Sequence, residues 1–403
     1  MPLISIEEAI EEFKQGKFLI IVDDAKRENE GDLTIAAEAV TPEAINFMIT
    51  NARGMLCAPV TQDCLERLKI PMMAKEGTEA IHGTAYAMSV DYLKDNTTGI
   101  SAHDRAATIR ALLDPNTTPE DFAQPGHTFP LRYCEGGVLA RPGHTEASID
   151  LAKLAGLKPA AAICEVTNPD GTMARMADLE VFSREHGINL ISIAQLIAYR
   201  RRMEKLAVRV GEARLPTKYA DFTIYGYKSR YGGEEHAALV LGSWKPDEAV
   251  LVRIHSQCST GEVFGSLRCD CGHQVGHALQ AIANQGKGVF IYMGQEGRGI
   301  GLHNKILSYR LQDNGLDTVE ANERLGFEPD PRSYSLGAQI LVDLGVRKLR
   351  LLTNNPRKIT GLSGYGLEVV ERIPAPVKQT KENQKYLKAK HEKLGHIISV
   401  DDG

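Results

Sequence analysis

In the first half of the chain, segments with apolar residues at helical spacing alternate with short apolar runs that are typical of strands. Ser5 precedes a helical apolar pattern and Glu8 lies three positions later, so a capping box is expected to start a helix that ends near Gly16. The apolar run at 18–22 predicts a buried strand. Further elements are predicted as helices from Thr41 through Asn51, from Asp104, from His144 to Leu154 and from Ser192, and as a strand at 159–166.

The second half begins differently, with short alternating segments at 207–214, 218–226 and 236–241 that predict three strands. Helical and strand patterns alternate after them, and the change of pattern lies near residue 200. We therefore predict an α/β (α+β) fold of two domains, 1–199 and 200–403, each with a mixed β-sheet core covered by helices.

A chain of 403 residues is long enough for two or three domains. It has no run of eighteen apolar residues, and its N-terminus lacks the basic region and cleavage site of a signal peptide. Seven cysteines spread over this length suit metal binding and free thiols in a reducing compartment better than a disulfide framework. We expect a soluble, cytoplasmic protein with no membrane contact.

Charge is divided unevenly between the two halves. Residues 1–200 carry a formal charge of −11 and residues 201–403 a formal charge of +6, although the whole chain has only −5. An acidic half suits metal cations and a basic half suits a polyanionic ligand, while solvated surface charge would give the same totals. Nucleic acid is not expected as a partner, since such binders are usually more basic and richer in aromatic residues.

Five carboxylates lie within ten residues at 23–32, between two apolar runs. A loop at strand ends would gather them for Mg²⁺ and for proton transfer, and a bland surface loop is the alternative. Arg141 and the amides of 143–145 at a helix start would form an anion site, with His144 as a possible metal ligand. Glu165 lies in an apolar strand and either handles a proton or occupies a solvated edge.

Three thiols dominate the segment 253–273, where Cys269 and Cys271 flank one residue and Cys258 precedes them. If the close pair lies on an extended strand end, all three sulfurs can hold Zn²⁺ and leave the fourth position open for water, as in catalytic sites. Such water could attack a ring carbon, as in zinc deaminases acting on nucleobases. The alternatives are a structural site closed by His255 or His273, or thiols that are merely buried.

The first half resembles 3,4-dihydroxy-2-butanone 4-phosphate synthase, because Arg-Glu-Asn-Glu-Gly-Asp at 27–32, His-Thr-Phe-Pro-Leu-Arg at 127–132 and Arg-Pro-Gly-His-Thr-Glu-Ala at 141–147 occur in this order. The resemblance implies that ribulose 5-phosphate is converted with release of formate. It implies Mg²⁺ or Mn²⁺ at Glu28 and His144, and catalytic roles for Asp32, His127 and Glu165. Substrate contacts are implied for Arg27, Glu28, Asp32, Arg141, Pro142, Gly143, His144, Thr145 and Glu165.

The second half resembles GTP cyclohydrolase II over its whole length, and the cysteine spacing that ends in Cys271-Gly272 is specific for it. The resemblance implies that GTP loses carbon 8 as formate and its outer phosphates as pyrophosphate, with Zn²⁺ at Cys258, Cys269 and Cys271. It implies Asp330 as general base, Tyr309 near the reacting ring and Arg332 at the α-phosphate. GTP contacts are implied for Arg253, Ile254, His255, Ser256, Gln257, Gln274, Glu296, Gly297, Arg298, Thr318, Thr353 and Lys358.

Arg332 is a nucleophile in the family account, but a guanidinium is a poor nucleophile and a good bidentate phosphate clamp. Mg²⁺ or Mn²⁺ is also expected with the phosphates of GTP. We therefore predict a bifunctional enzyme of riboflavin biosynthesis, with homodimers suggested by the resemblance. The alternatives are a monofunctional cyclohydrolase with a structural N-terminal domain and a zinc-dependent protein that senses nucleotides or binds nucleic acid. His103 departs from the family pattern and carries no assigned role.

Overall fold

The computed structural model describes residues 3–397 except 26, 75–82, 95, 232, 328–333, 361, 363 and 364. The chain forms two compact units, unit 1 at 1–203 and unit 2 at 204–403. The predicted boundary near residue 200 falls within the last helix of unit 1, and the units divide at the end of that helix. None of the helices in the described ranges has both the length and the apolar character that a membrane crossing requires.

Unit 1 contains seven α-helices and seven strands among its described residues. The helices are α1 (Ile6–Lys14), α2 (Pro42–Phe47), α3 (Gln62–Arg67), α4 (Ala102–Leu113), α5 (His144–Leu154), α6 (Met176–His186) and α7 (Ile193–Met203). The strands are β1 (Leu19–Val22), β2 (Gly31–Ala36), β3 (Cys57–Val60), β4 (Val90–Tyr92), β5 (Phe122–Arg132), β6 (Ala161–Glu165) and β7 (Asn189–Ser192).

The sheet of unit 1 is mixed and has the order β4-β5-β3-β6-β2-β1-β7. Alternate residues of β1 enter different cores, Ile20 with α2, α4 and α6 and Ile21 with α1, α5 and α7. Helices therefore cover both faces, which explains why this strand is an unbroken apolar run rather than an alternating one. At the centre, β2 pairs antiparallel with β6 and places Asp32 directly opposite Glu165.

Local sequence signals account for several of these elements. The capping box of Ser5 and Glu8 starts α1 as predicted. Thr41 caps α2 with Pro42 at its first position, but the α-helix ends at Phe47 and a π-helical turn continues it over Met48–Ala52. The helix predicted through Asn51 is therefore present in extent but changes its hydrogen-bond pattern in its second half.

Unit 2 contains seven α-helices and seven strands among its described residues. The strands are β8 (Ala207–Pro216), β9 (Asp221–Ser229), β10 (Glu235–Leu241), β11 (Ala249–Ser256), β12 (Gly288–Met293), β13 (Lys348–Leu352) and β14 (Glu368–Ile373). The helices are α8 (Ser259–Glu262), α9 (Cys271–Gln285), α10 (Gly301–Asp313), α11 (Thr318–Arg324), α12 (Ser335–Asp343), α13 (Pro356–Thr360) and α14 (Gln384–Glu392).

The sheet of unit 2 has the order β14-β13-β11-β12-β10-β9-β8, with an antiparallel part formed by β8, β9, β10 and β12 and a parallel part formed by β11 to β14. The carboxyl ends of β11, β12 and β13 lie at one edge, where ligands bind in open α/β sheets. The segments that leave this edge begin at Gln257, Gly294 and Thr353. The prediction of two domains with mixed sheets covered by helices is confirmed.

Candidate active sites

The carboxylate loop of unit 1 is folded around Asp23. Its Oδ2 accepts hydrogen bonds from the backbone N–H of Glu28 (3.0 Å) and from Arg27 Nη1 (3.0 Å). Its Oδ1 accepts from the backbone N–H of Glu30 (2.9 Å). The Asp23 carboxylate thus holds the loop in a turn in which Glu28 lies close to His144.

Three sequence-predicted residues meet at the carboxyl end of β1. His144, the first residue of α5, places its Nδ1 3.5 Å from Glu28 Oε2 and 3.8 Å from Asp32 Oδ1. Burial raises the pKa of Glu28, but the hydrogen bond with His144 and the charge of Arg27 outweigh it and hold that pKa at about 2. Burial raises the pKa of Asp32 to about 7, with repulsion from Glu165 and Glu28 adding to the effect.

These groups can hold a divalent cation. The ligand atoms of Asp23, Glu28 and His144 all lie within 4.8 Å of one another. The Nε2 atom of His144 is buried and has no hydrogen-bond partner among the described residues. Two carboxylates and an imidazole suit Mg²⁺ or Mn²⁺, and the sequence signal for the third ligand, Asp23, was its place in the same acidic run.

Glu165 ends β6 and turns toward the segment before β3. Its Oε2 accepts a hydrogen bond from the backbone N–H of Met55 at 2.8 Å. A Cβ atom at Gly54 would lie 2.2 Å from the carbonyl oxygen of Glu165, so only glycine allows this close approach. The Arg53–Met55 turn therefore fixes the orientation of a carboxylate that lies opposite Asp32 in the sheet.

His127 lies on β5 and is paired with Asp91 of β4. Its Nδ1 is 2.7 Å from Asp91 Oδ2, and its backbone N–H donates to Asp91 Oδ1 at 2.8 Å. Gly99, with φ of +92°, closes against both, since a Cβ atom there would lie 2.1 Å from Asp91 Oδ2 and 2.5 Å from His127 Nδ1. Sequence reasoning missed Asp91, because its only local signal is a polar residue within an apolar strand.

The predicted anion site at the start of α5 contains residues that precede the helix and residues of its first turn. Arg141 Nη1 donates to Glu146 Oε2 at 2.5 Å, and its Nη2 donates to Thr84 Oγ1 at 3.0 Å. Pro142 and the N-cap Gly143 lead into the first turn with His144 and Thr145. Arg141 is thereby held beside the helix N-terminus with the orientation fixed by Glu146.

In unit 2 the three thiols come together, but not on a strand end as the sequence suggested. Cys258 follows β11, Cys269 lies in the turn before α9, and Cys271 is the first residue of α9 with Asp270 as its N-cap. The prediction of an extended pair is wrong because a helix begins between them. The Sγ atoms of Cys258 and Cys269 are 3.6 Å apart, and all three sulfurs lie within 4.8 Å of one another.

This spacing fits a zinc ion, because Zn–S bonds of about 2.3 Å in a tetrahedron separate sulfurs by roughly 3.8 Å. Hydrogen bonds from Cys269 and Cys271 lower the pKa of Cys258, and hydrogen bonds with Cys258 and Cys269 raise the pKa of Cys271. A cation among them would allow all three to be thiolates. Gly261 packs against them, since a Cβ atom there would lie 2.5 Å from the Cys269 sulfur.

A buried lysine that sequence reasoning missed contacts this cluster. Lys305 Nζ, on α10, is 3.1 Å from Cys258 Sγ and 2.7 Å from Glu296 Oε1. Burial lowers the pKa of Lys305, but its hydrogen bond to Glu296 and the charge of Cys258 outweigh this and raise it. Glu296 Oε2 also accepts from the backbone N–H of Ser259 at 2.6 Å. The Lys305–Glu296 ion pair therefore stabilises the backbone turn that follows Cys258.

His255 does not join the thiols, and the metal-ligand group found in the described residues contains the three cysteines without a histidine. The His255 Nε2 atom is 2.7 Å from Glu262 Oε1, and Tyr292 donates to Glu262 Oε2 at 2.6 Å. Burial lowers the pKa of His255 to about 4, so the ring is neutral at pH 7. The geometry disfavours a zinc site closed by His255.

A cleft opens beside the thiols at the carboxyl edge of the parallel strands. Its lining includes, from the predicted set, Arg253, His255, Ser256, Gln257, Cys258, Cys269, Cys271, Gln274, Gly297, Arg298, Tyr309, Thr318, Thr353 and Lys358. Ile254 is buried beneath it and offers its carbonyl oxygen to Lys358 Nζ at 2.6 Å. Asp330 and Arg332 lie outside the described residues.

The glycine-rich segment after β12 places a guanidinium in this cleft. Gly297 and Arg298 both have left-handed backbone angles, with φ of 62° and 65°. Both terminal nitrogens of Arg298 are buried and have no hydrogen-bond partner in the described part of the chain. A strained backbone that holds an unsatisfied buried cation points to an anionic ligand.

Comparisons with known proteins agree with this division of the chain. Residues 7–199 match the family model of 3,4-dihydroxy-2-butanone 4-phosphate synthase, and residues 208–374 match that of GTP cyclohydrolase II.

Two relatives and one solved structure extend over nearly the whole chain. The riboflavin biosynthesis proteins RibBA of Bacillus mycoides and Aquifex aeolicus are 55% and 54% identical to it, covering 98% of this chain and 99% and 98% of their own. The crystal structure of RibBX, described as a two-domain 3,4-dihydroxy-2-butanone 4-phosphate synthase from A. baumannii, is 37% identical with a TM-score of 0.69, and the match covers 93% of this chain and all of that one.

Proposed function

Because the chain belongs to the family of bifunctional riboflavin biosynthesis proteins, we propose that each unit catalyses the reaction of the domain family that it matches. Unit 1 contains the 3,4-dihydroxy-2-butanone 4-phosphate synthase domain and unit 2 the GTP cyclohydrolase II domain. Unit 1 converts D-ribulose 5-phosphate to 3,4-dihydroxy-2-butanone 4-phosphate and formate. Unit 2 converts GTP to 2,5-diamino-6-(5-phosphoribosylamino)pyrimidin-4-one, formate and pyrophosphate. A monofunctional cyclohydrolase is not favoured, because the relatives match both domains.

In unit 1, the contacts among Glu28, Asp32 and His144 carry the proposal. Mg²⁺ or Mn²⁺ held by Glu28 and His144, with Asp23 in reach, would polarise the oxygens of the bound ketose. Asp32, with a pKa of about 7, would take the proton that converts the ketose to an enediol. Glu165, across the β2–β6 pair, would exchange protons with the substrate hydroxyls.

The remaining unit 1 residues would bind the sugar phosphate and move its protons. Arg27 and the segment 141–145 would hold the anionic substrate, with helix α5 offering its N-terminal amides to the phosphate. His127 would act in proton transfer, and the carboxylate of Asp91 would fix its ring orientation and tautomer.

In unit 2, the meeting of the three thiols beside a cleft rich in cations supports the assignment. Zn²⁺ held by Cys258, Cys269 and Cys271 would supply an acidified water molecule for attack on carbon 8 of the guanine ring. Arg298 and Lys358 would contact the phosphates, and Tyr309 would lie near the reacting ring, its hydroxyl 3.0 Å from Thr260 Oγ1.

The other proposed nucleotide contacts are Arg253, Ile254, His255, Ser256, Gln257, Gln274, Glu296, Gly297, Thr318 and Thr353, and Mg²⁺ or Mn²⁺ would accompany the phosphates. Asp330 would act as general base, and Arg332 would act at the α-phosphate. We propose a homodimer on the family resemblance and a cytoplasmic location on the seven free thiols. Light scattering coupled to size exclusion would test the first.

The experiment that tests the function is the measurement of formate release with ribulose 5-phosphate and with GTP, each supplied alone to the purified chain. We expect formate in both assays and pyrophosphate only with GTP. EDTA should stop the first reaction and Mg²⁺ should restore it. Formate from GTP alone, under conditions in which unit 1 is folded and Mg²⁺ is saturating, would favour the monofunctional alternative instead.

A further inference from the structure

The segment after the last strand of unit 2 lies outside the matched family region, which ends at residue 374. It nevertheless forms part of the lining of the cleft that holds the thiols. The contributing residues are Ala375, Val377, Tyr386, Leu387, Lys390 and His396. One wall of the proposed nucleotide site therefore comes from a part of the chain that neither the motifs nor the family model assigned.

Backbone contacts hold both ends of this segment against the site. Asn354, next to Thr353, donates from Nδ2 to the carbonyl of Ala375 at 2.6 Å and accepts from its N–H at 3.0 Å. The N–H of Ile397 donates to the carbonyl of Asn354 at 2.9 Å. Two distant points of the segment thus meet at one residue of the cleft edge.

Helix α14 is attached at a second place. Lys393, just after the helix, forms ion pairs with Asp317 and with Glu320, the latter at 2.8 Å. Asp317 is the N-cap of α11, whose first residue is Thr318. The contact links the C-terminal helix to another wall of the same cleft.

Lys390 connects α14 to the nucleotide residues through buried polar contacts. Its Nζ is 3.3 Å from Asp270 Oδ1, and the two side chains are 10% and 1% exposed. Asp270 lies between the thiols of Cys269 and Cys271, and its Oδ2 accepts from Gln274 Nε2 at 2.6 Å.

Gln274 links Asp270 to Arg253 by a second hydrogen bond. The Oε1 atom of Gln274 accepts from Arg253 Nη2 at 2.5 Å. The amide has an acceptor, Asp270, on its nitrogen side and a donor, Arg253, on its oxygen side, so only one of its two flipped orientations satisfies both. Removal of the Lys390 charge would leave Asp270 buried without its cation and free this chain to reorganise.

We propose that Lys390 is a positioning residue of the nucleotide site, which acts through Asp270 and Gln274 to orient Arg253 toward a purine nucleoside triphosphate. Helix α14 is then a functional wall of the cleft. The inference rests on the proposed GTP reaction and adds to it a residue and a segment. Tyr386 strengthens the arrangement, since its ring lies 4.3 Å from Lys390 Nζ and 5.6 Å from the Arg298 guanidinium.

The test compares Lys390→Met, Lys390→Arg and Lys388→Met in the full chain. Lys388 is on the same helix but exposed, so its variant controls for loss of a lysine from α14. KM and kcat for GTP are measured from formate release, together with bound zinc and the ribulose 5-phosphate reaction of the same protein. We expect Lys390→Met to raise KM for GTP about tenfold while zinc is retained, since one charge-assisted contact is lost. Lys390→Arg should restore most of the affinity, and Lys388→Met should match the wild type.

A double variant shows whether the effect passes through Gln274. The KM increases of Lys390→Met and Gln274→Ala should be strongly non-additive, and additive increases would overturn the proposal. A zinc-loaded Lys390→Met protein with wild-type KM would also overturn it. If Lys390→Met does not unfold cooperatively, Lys390→Gln takes its place with the same outcomes. A wild-type chain that releases no formate from GTP would instead contradict the proposed function itself.

Discussion

The two candidate sites differ in the balance of their buried charges. In unit 1, His144 lies beside Glu28 and Asp32, Arg27 pairs with Glu28, and repulsion from Glu165 and Glu28 helps to raise the pKa of Asp32. In unit 2, Lys305 and Lys390 are each buried against one carboxylate, and Arg298 adds two buried nitrogens that have no partner among the described residues. Carboxylates therefore outnumber cations in the described part of the unit 1 site, whereas the unit 2 cleft holds a guanidinium with no hydrogen-bond partner among the described residues.

The difference teaches what each unit requires from its ligands. A surplus of buried carboxylate is stabilised by a hard cation, so the metal proposed for unit 1 would balance the charge of the site as well as supply its chemistry. In the unit 2 cleft, Lys305 and Lys390 are paired with carboxylates, so Arg298 would be available for phosphate, while the three thiols proposed to hold zinc form a separate soft site. The charges of the two halves, −11 and +6, have the same signs as these two sites.

The largest expected effect comes from removing a unit 1 ligand. Glu28→Gln should lower ribulose 5-phosphate turnover more than about a hundredfold, because a neutral amide binds a hard cation weakly. GTP turnover should stay at the wild-type rate, and the exposed Glu43→Gln serves as the matched control. Both rates are measured by formate release over a range of Mg²⁺ concentrations. Undiminished turnover of the variant at low Mg²⁺ would refute the ligand assignment and break the contrast between the sites.

Cys271→Ser tests the soft site in the same way. We expect loss of bound zinc and loss of formate release from GTP, while pyrophosphate release can survive because it depends on the phosphate-binding cations. Cys134→Ser, at a thiol of unit 1, is the control. Formate and pyrophosphate are followed separately, with zinc content and thermal stability measured alongside. A folded, zinc-free variant with normal formate release would show that the thiols play no part in the chemistry.

The independence of the units can be tested by cutting the chain, and the structure indicates where. Arg200 donates to Asp150 Oδ2 at 2.6 Å and to the carbonyl of Gly136 at 2.8 Å, and both side chains of the ion pair are buried. Fragment 1–199 would leave Asp150 without its cation, whereas 1–203 keeps the pair. We expect 1–199 to be less stable by about 3–5 kcal/mol in urea unfolding.

Both fragments are assayed with ribulose 5-phosphate, and 204–403 is assayed with GTP. Equal stability of 1–199 and 1–203 would mean that Arg200 contributes nothing to unit 1. Loss of activity from 1–203 and from 204–403 alike would show that the two reactions are not carried by independent units.

The smallest effect is expected from Lys305→Met, which removes the cation in contact with Cys258 and leaves the three proposed ligands in place. Zinc affinity, measured by competition with a chromogenic chelator, should fall about tenfold, since contacts to metal ligands tune affinity by tenfold to a hundredfold. Lys287→Met, at a partly exposed lysine of the same unit, is the control. Unchanged zinc affinity would show that Lys305 pairs with Glu296 but does not influence the metal site.

The sequence by itself determined the elements of local origin and the family. The capping box at Ser5 and the Thr41–Pro42 start needed only neighbouring residues, and so did the acidic run that contains Asp23 and Glu28. The cysteine spacing was enough to expect a three-thiol group, because ligands that are close in sequence meet in almost any local fold. The extended backbone predicted for the close pair was wrong, since Cys271 begins a helix rather than ending a strand.

Only the tertiary structure decided which distant side chains support these groups. Asp91 reaches His127 because β4 pairs with β5, and Lys305 reaches Cys258 because α10 packs beside the thiol turn. Lys390 reaches Asp270 across 120 positions of sequence. Such partners leave no periodic signal in the chain, because a buried lysine or aspartate is spaced no differently from an exposed one. Their identity depends on strand order and helix packing, which bring together residues that no local pattern links.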